Sequence, residues 1–231
     1  AAAVLSNEEK EAGIVLVDIG GGTTDLAIFH EGIIRHTAVI PFGGNIITED
    51  IKEGCTIMKD QAEKLKVKFG SAIASEGQEN EVVCIPGLRG REPKEISIRN
   101  LSGIIQARME EIIEHVYFEI KNSGYEKKLI GGIVVTGGGS ELKNLTQLFE
   151  YITGMDTRIG YPNEHLGKSN MEEALTSPMH ATGIGLVLKG FEKMDKLNRS
   201  NQVVKTHSKR TKGSFFDKII EKSKTWFEED I

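Results

Sequence analysis

The sequence is short of the residues that would place it outside the ordinary globular class. Among 231 residues there are two cysteines, five prolines and one tryptophan. Cys55 and Cys84 alone cannot build a disulfide framework, and a reducing cytosol fits that usage. No apolar run is long enough to cross a bilayer, and no signal peptide opens the chain. Positive charge is not in surplus: the net charge is −5, which gives no global pull toward nucleic acid. The six histidines show no paired metal-ligand spacing with one another or with cysteine. No nucleophile-elbow pattern occurs. "GYPNEHLGKS" ends like a phosphate-binding P-loop, but its glycines stand two residues too far apart and no strand and helix frame it. The first residue is alanine rather than methionine and "AAAVL" reads as the end of a helix, so the expectation is a fragment lacking its amino-terminal part.

What is present suits a soluble core of one or two domains, with 39% hydrophobic and 27% charged residues. "GIVLVDIG" (13–20) reads as a buried strand, and "TDLAIFHEGIIRHTAVIP" as two more that turn near Glu31-Gly32. Residues 45–54 and 57–69 read as helices. A polar loop follows at 70–80, then strands in "EVVCIPG" and "KEISIRN". Residues 101–121 form the clearest helix, with Ile104, Ile105, Met109, Ile112, Ile113, Val116 and Ile120 on one face. "GGIVVTGGG" is a further buried strand ending in glycines. A helix follows over 140–152, and "ATGIGLVLKG" (181–190) is a helix of small residues.

Three segments carry candidate chemistry. In "DIGGGTTD" (18–25), Gly20, Gly21 and Gly22 let the backbone turn tightly and aim N–H groups at one point, as an anion nest does. Strands flank this loop, so it is a hairpin tip rather than a helix start. Asp18 beside bound phosphates needs a cation between them, and Mg²⁺ is its natural partner. Thr23 and Thr24 can add hydroxyl donors. The plain alternative is a glycine hairpin with an exposed aspartate. In "VVTGGGSELKNL", strand, glycines and helix follow in order, which places Gly137, Gly138 and Gly139 at a strand's carboxyl end. Backbone free of side chains there can pack against an adenine ring; the alternative is a tight turn. In "QAEKLK" (61–66), Glu63 and Lys66 are neighbours on a helix face and could bond two ribose hydroxyls, or form a solvated surface pair.

Together these segments resemble the actin-like ATPase superfamily, and the chain is most similar there to the FtsA family of bacterial cell-division proteins. "EEKEAGIVLVDIGGGTTDLAIF", "PFGGNIITEDI", "AEKLKVKFG", "TGGGSELKNL" and "RIGYPNEHLG" carry that likeness over about residues 1–190. The resemblance implies an α/β, actin-like (ribonuclease H-like) ATPase domain II. Residues 1–50 and 131–190 would form the nucleotide-binding subdomain, and 51–130 an inserted α+β subdomain. It implies ATP and Mg as cofactors. Asp18 would organise Mg, and Gly20, Gly21, Gly22, Thr23 and Thr24 would meet the phosphates. Glu63 and Lys66 would meet the ribose, and Gly137, Gly138 and Gly139 the adenosine. The family's first phosphate motif is absent, so weak ATP binding and no measurable hydrolysis are expected of this chain. The implied partners are the FtsZ carboxyl-terminal peptide, further copies of the protein in a filament, other divisome proteins and inner-membrane lipid, with no nucleic acid. The implied location is the cytoplasmic face of the inner membrane at the division site. A pilus-assembly ATPase, or an Hsp70-like or sugar-kinase-like ATPase of the same superfamily, is the alternative.

The tail adds independent physics. Residues 196–213 hold six Lys or Arg and no acid, and 191–213 reads as a basic flexible linker. Then comes "SFFDKIIEKSKTWFEEDI" (214–231). At about 100° per residue, Phe215, Phe216, Ile219, Ile220, Trp226, Phe227 and Ile231 fall within roughly 160° of one another. The stretch is too short to span a bilayer, so the expectation is an amphipathic helix lying in a membrane surface, with the basic linker attracting anionic lipid. The alternative is a last helix packed on the domain or on a partner.

Overall fold

Apolar runs flanked by glycine make the central strands. The structure is a computed structural model and describes residues 1–76, 81–87, 92–162 and 176–210, with 198–210 as backbone. A five-stranded sheet has the order β3-β2-β1-β6-β7. Its strands are β1 (Ile14–Ile19), β2 (Thr24–His30), β3 (Ile33–Ile40), β6 (Ile133–Thr136) and β7 (Thr157–Ile159). β1, β2 and β3 form an antiparallel meander, whereas β1 with β6 and β6 with β7 are parallel. A small hairpin, β4 (Val82–Ile85) with β5 (Lys94–Ser97), stands apart from this sheet.

The alternation of side chains divides the central strands between two faces. Val15, Val17 and Ile19 of β1 join Ile133 and Val135 of β6 in the main core. Helices α2 (Gly44–Cys55), α3 (Lys59–Phe69), α4 (Ile98–Asn122) and α5 (Leu145–Thr153) contribute to that core. The face expected on α4 is the one buried: Ile105, Met109, Ile112, Ile113, Val116 and Ile120 are sealed, and Ile104 is half-buried at the margin. Residues from 51–130, the stretch expected to be an insertion, thus share one continuous core with the sheet. Leu16 and Val134 point the other way and are also buried, as are the amino-terminal residues Val4 and Leu5, and Val134 and Val4 both border Gly160.

Two expectations are corrected, and two short elements were not foreseen. "AAAVL" is a largely buried turn in which the Leu5 N–H donates to the Ala1 carbonyl at 3.1 Å, an i→i−4 bond of helical kind, and the first helix among the described residues is α1 (Asn7–Ala12). Its capping box was present in the sequence: Ser6 Oγ accepts from the Glu9 N–H at 3.1 Å and Glu9 Oε2 from the Ser6 N–H at 2.8 Å. The helix expected over 140–152 begins later. A 3₁₀ turn at Gly138–Glu141 comes first, and Asn144 in the left-handed region precedes α5. β7 is three residues long, too short to leave a periodic trace. Finally, α6 (Ala181–Arg210) continues through most of the stretch read as a flexible linker. No glycine or proline interrupts 191–210, and Lys, Arg, Leu, Met, Glu and Gln there favour the helix. The chain divides into two units, Ala1–Gly185 and Leu186–Ile231. The stretch 214–231, with Phe215, Phe216, Ile219, Ile220, Trp226, Phe227 and Ile231, lies outside the described residues.

Candidate functional site

The parallel pairing of β1 with β6 brings the two glycine turns together. Asp18 stands opposite Thr136 in the register, so Gly20–Gly22 and Gly137–Gly139 leave the sheet side by side at the same end. They line one crevice of about 250 Å³, with Gly20 and Gly21 from the first turn and Gly138 and Gly139 from the second. Glu63 and Lys66 of α3 line it as well.

The first turn is braced by a helix start that the sequence reading did not single out. The N–H groups of Gly44 and Asn45, at the beginning of α2, donate to the carbonyls of Gly20 and Gly21 at 2.9 and 2.8 Å. This close docking requires glycine before the helix: a Cβ on Gly43 would lie 2.6 Å from the Gly20 oxygen. "PFGGN" was the available signal, since paired glycines ahead of a helix mark a close backbone approach.

The predicted residues divide. Thr24 is fully buried, and its hydroxyl donates to the Phe42 carbonyl at 2.8 Å, which ties the start of β2 to the loop after β3. Thr23 is exposed and its hydroxyl donates to Asp25 at 3.0 Å. Gly22, Thr23 and Gly137 stand at the turns without lining the crevice, as does Asp18, whose Oδ2 accepts a 2.7 Å bond from the Thr182 hydroxyl. Asn45, Leu142, Lys143 and Met179 line the crevice and were not foreseen.

Glu63 and Lys66 form a pair of which only the lysine is withdrawn from solvent, the Glu63 side chain staying 47% exposed. The Lys66 side chain is only 13% exposed, and its Nζ lies 2.8 Å from Glu63 Oε2. It also donates to the Gly44 carbonyl and to the Thr48 hydroxyl, each at 2.8 Å, and so ties α3 to the start of α2. Burial alone would raise the Glu63 carboxyl, but the bonds from Lys66 and Thr48 together with the Lys66 charge outweigh it and hold the group below its ordinary value. Glu49, bonded to Lys52 and to Lys59 of α3, is pulled down to about 2.

These carboxylates bind protons less readily when folded, so their contribution is present above the usual value of 4.5 and is lost as pH falls, for Glu49 toward about 2. Lys66→Met should reverse the Glu63 shift, because desolvation then acts without its main counterweight. Carbon NMR titration of the side-chain carboxyls checks this; an unchanged Glu63 midpoint in the variant would show that Lys66 does not set it.

Comparison with known proteins adds a second line of argument. The family described as "Cell division protein FtsA" matches residues 15–185. The chain is 40% identical to the cell division protein FtsA of Pseudomonas aeruginosa over 190 residues, covering 82% of this chain and 45% of that protein. With the FtsA of Borreliella burgdorferi it shares 37% identity over 229 residues, covering 97% of this chain and 52% of the relative. The chain therefore spans about half the length of the curated relatives it matches. Among solved structures, MreB5 of Spiroplasma citri bound to ADP superposes with a TM-score of 0.64 at 26% identity, covering 85% of this chain and 58% of that one. The type IV pilus complex PilM-PilN superposes with a TM-score of 0.60 at 19% identity, covering 80% and 47%, a likeness of fold alone. The architecture is the α/β actin-like fold with a mixed five-stranded sheet.

Proposed function

The chain belongs to the FtsA family of cell-division proteins, and from that membership we propose that it is the carboxyl-terminal half of an actin-like, ATP-binding subunit that polymerises and tethers the FtsZ ring to the inner membrane face. The observation that carries the nucleotide part is the crevice shared by both glycine turns. Phosphates would meet the backbone of Gly20, Gly21 and Gly22, and adenosine that of Gly137, Gly138 and Gly139. Glu63 and Lys66 would meet the ribose. Asp18 would hold Mg²⁺ through water, and the cation's chemistry there is neutralisation of phosphate charge.

The residues fit such a ligand. At Gly22 a Cβ would meet nothing within 4 Å, and at Gly138 it would meet only the end of Met179 at 3.9 Å. Neither glycine has a positive φ. The protein's own packing therefore gives no reason for glycine at these positions, whereas close approach of a ligand to bare backbone does. Gly138→Ala and Gly22→Ala should leave the denaturation midpoint unchanged within error while weakening Mg-ATP binding about tenfold, a loss of about 1.4 kcal/mol. Paired denaturation and NMR titration measure both quantities. Equal affinity in the variants would remove the main support for the nucleotide reading.

The remaining functions rest on family membership and on the tail. The FtsZ carboxyl-terminal peptide would dock on the inserted stretch 51–130, and further divisome proteins would join through the assembly. The stretch 214–231 would lie in lipid at the division site. One such helix binds weakly and reversibly, whereas a filament presents many to one surface and raises the effective concentration of each. Nucleotide would act chiefly by favouring an assembly-competent shape.

A further inference from the structure

We propose that Thr182 is a positioning residue for Asp18, fixing the carboxylate in the orientation that meets the cation of a bound nucleotide; this rests on the nucleotide reading above. The two Asp18 oxygens have neighbours from two different elements. Oδ2 accepts the Thr182 hydroxyl at 2.7 Å, and Thr182 is the second residue of α6. Oδ1 lies over the bare Cα of Gly137, so close that a Cβ there would sit 2.3 Å away. One oxygen is held by a donor and the other is confined by backbone, which leaves the carboxylate little freedom to rotate.

Thr182 is delivered to that position by the sheet itself. The Pro178 carbonyl accepts from the Gly137 N–H at 3.2 Å, and the Thr136 hydroxyl, whose one proton is nearer the Gly160 carbonyl at 3.0 Å, lies 3.4 Å from it. Ser177 caps the turn by accepting from the Met179 N–H at 3.2 Å. The start of α6 is therefore registered against the end of β6, the strand that stands beside Asp18. A threonine hydroxyl has one proton to donate, so the carboxylate keeps lone pairs for a hydrated cation. A ligand group already held in its binding orientation loses less freedom when the ligand arrives. The sequence reading treated "ATGIGL" only as a run of small residues; its one hydroxyl is the group that reaches the site.

The test uses the full chain with Thr182→Val, which keeps the shape and removes the hydroxyl, and Thr182→Ser, which restores it. Mg-ATP affinity is followed by NMR titration, with a parallel series in EDTA. Thr182→Val should weaken binding about tenfold with Mg²⁺ present and leave it unchanged in EDTA, and Thr182→Ser should return to within about twofold of the parent. In nucleotide-free protein the Asp18 carboxyl carbon should shift in Thr182→Val and return in Thr182→Ser. The proposal is overturned by equal Mg-ATP affinity in Thr182→Val, by equal losses in both variants, by a loss that persists in EDTA, or by an unmoved Asp18 resonance. If the parent chain itself shows no response to Mg-ATP, the nucleotide reading fails and this proposal fails with it, an outcome distinct from the other four.

Discussion

Gly137→Ala is expected to lower stability by about 2–6 kcal/mol and to abolish measurable nucleotide binding at the same time. Two costs combine. Gly137 has φ +84° and ψ 171°, an essentially glycine-only conformation that disfavours any residue with a Cβ by roughly 1–3 kcal/mol. The added methyl would also stand 2.3 Å from Asp18 Oδ1 and 2.6 Å from the Ile19 carbonyl oxygen. Neither neighbour can retreat easily, because Ile19 ends β1 in the centre of the sheet and Asp18 is held by Thr182. Relief of such overpacking typically costs about 1–3 kcal/mol more. The natural comparison is Gly138→Ala one residue on, where φ is not positive and the space is open. The two variants should therefore separate cleanly, the first losing fold and binding together and the second losing binding alone. Urea denaturation with ATP titration of both proteins provides the check. A Gly137→Ala protein as stable as its parent would mean that the sheet end is far more yielding than its hydrogen bonds indicate.

Trp226→Glu and Phe216→Glu should each abolish flotation of the protein with vesicles containing anionic lipid. Interfacial binding scales with the apolar area removed from water. Aromatic side chains bury about 150–250 Å² when fully covered. Covering half of that at about 25 cal/mol per Å² contributes roughly 2–3 kcal/mol, or close to a hundredfold in partitioning for one residue. Glutamate also brings a charge that resists entry. The stretch 214–231 carries five acids against three lysines, so its attraction to anionic lipid must come from the basic residues of 196–213. Binding by the parent should accordingly weaken in high salt, whereas the two glutamate variants, already unbound, should show no salt dependence. Flotation that survives both substitutions would assign the apolar face to a protein partner instead.

Several features were legible along the chain because they are local. The apolar run of β1, the single buried face of α4 and the two glycine turns each leave a pattern within a few residues, and each stands where it was expected. The capping box of α1 was equally local, in "SNEEKEAG", and is the element that closer reading of the sequence would have found. α6 was cut short for a different reason: a basic, polar composition suggests a linker, but helix formation depends on the absence of breakers and not on polarity.

The sequence by itself determined which segments can turn tightly, which faces seek burial and where carboxylate, lysine and bare backbone are available. Only the tertiary structure decided which of them meet. Asp18 and Thr136 are far apart in the chain and become neighbours through parallel strand pairing, whose register depends on backbone hydrogen bonds that no local pattern encodes. The same pairing places the two glycine turns at one crevice and carries Thr182 to Asp18. Two further contacts were invisible to local pattern for the same reason: the inward-facing Thr24 hydroxyl donates to the Phe42 carbonyl, and the Lys66 ammonium donates to the Gly44 carbonyl at the start of α2.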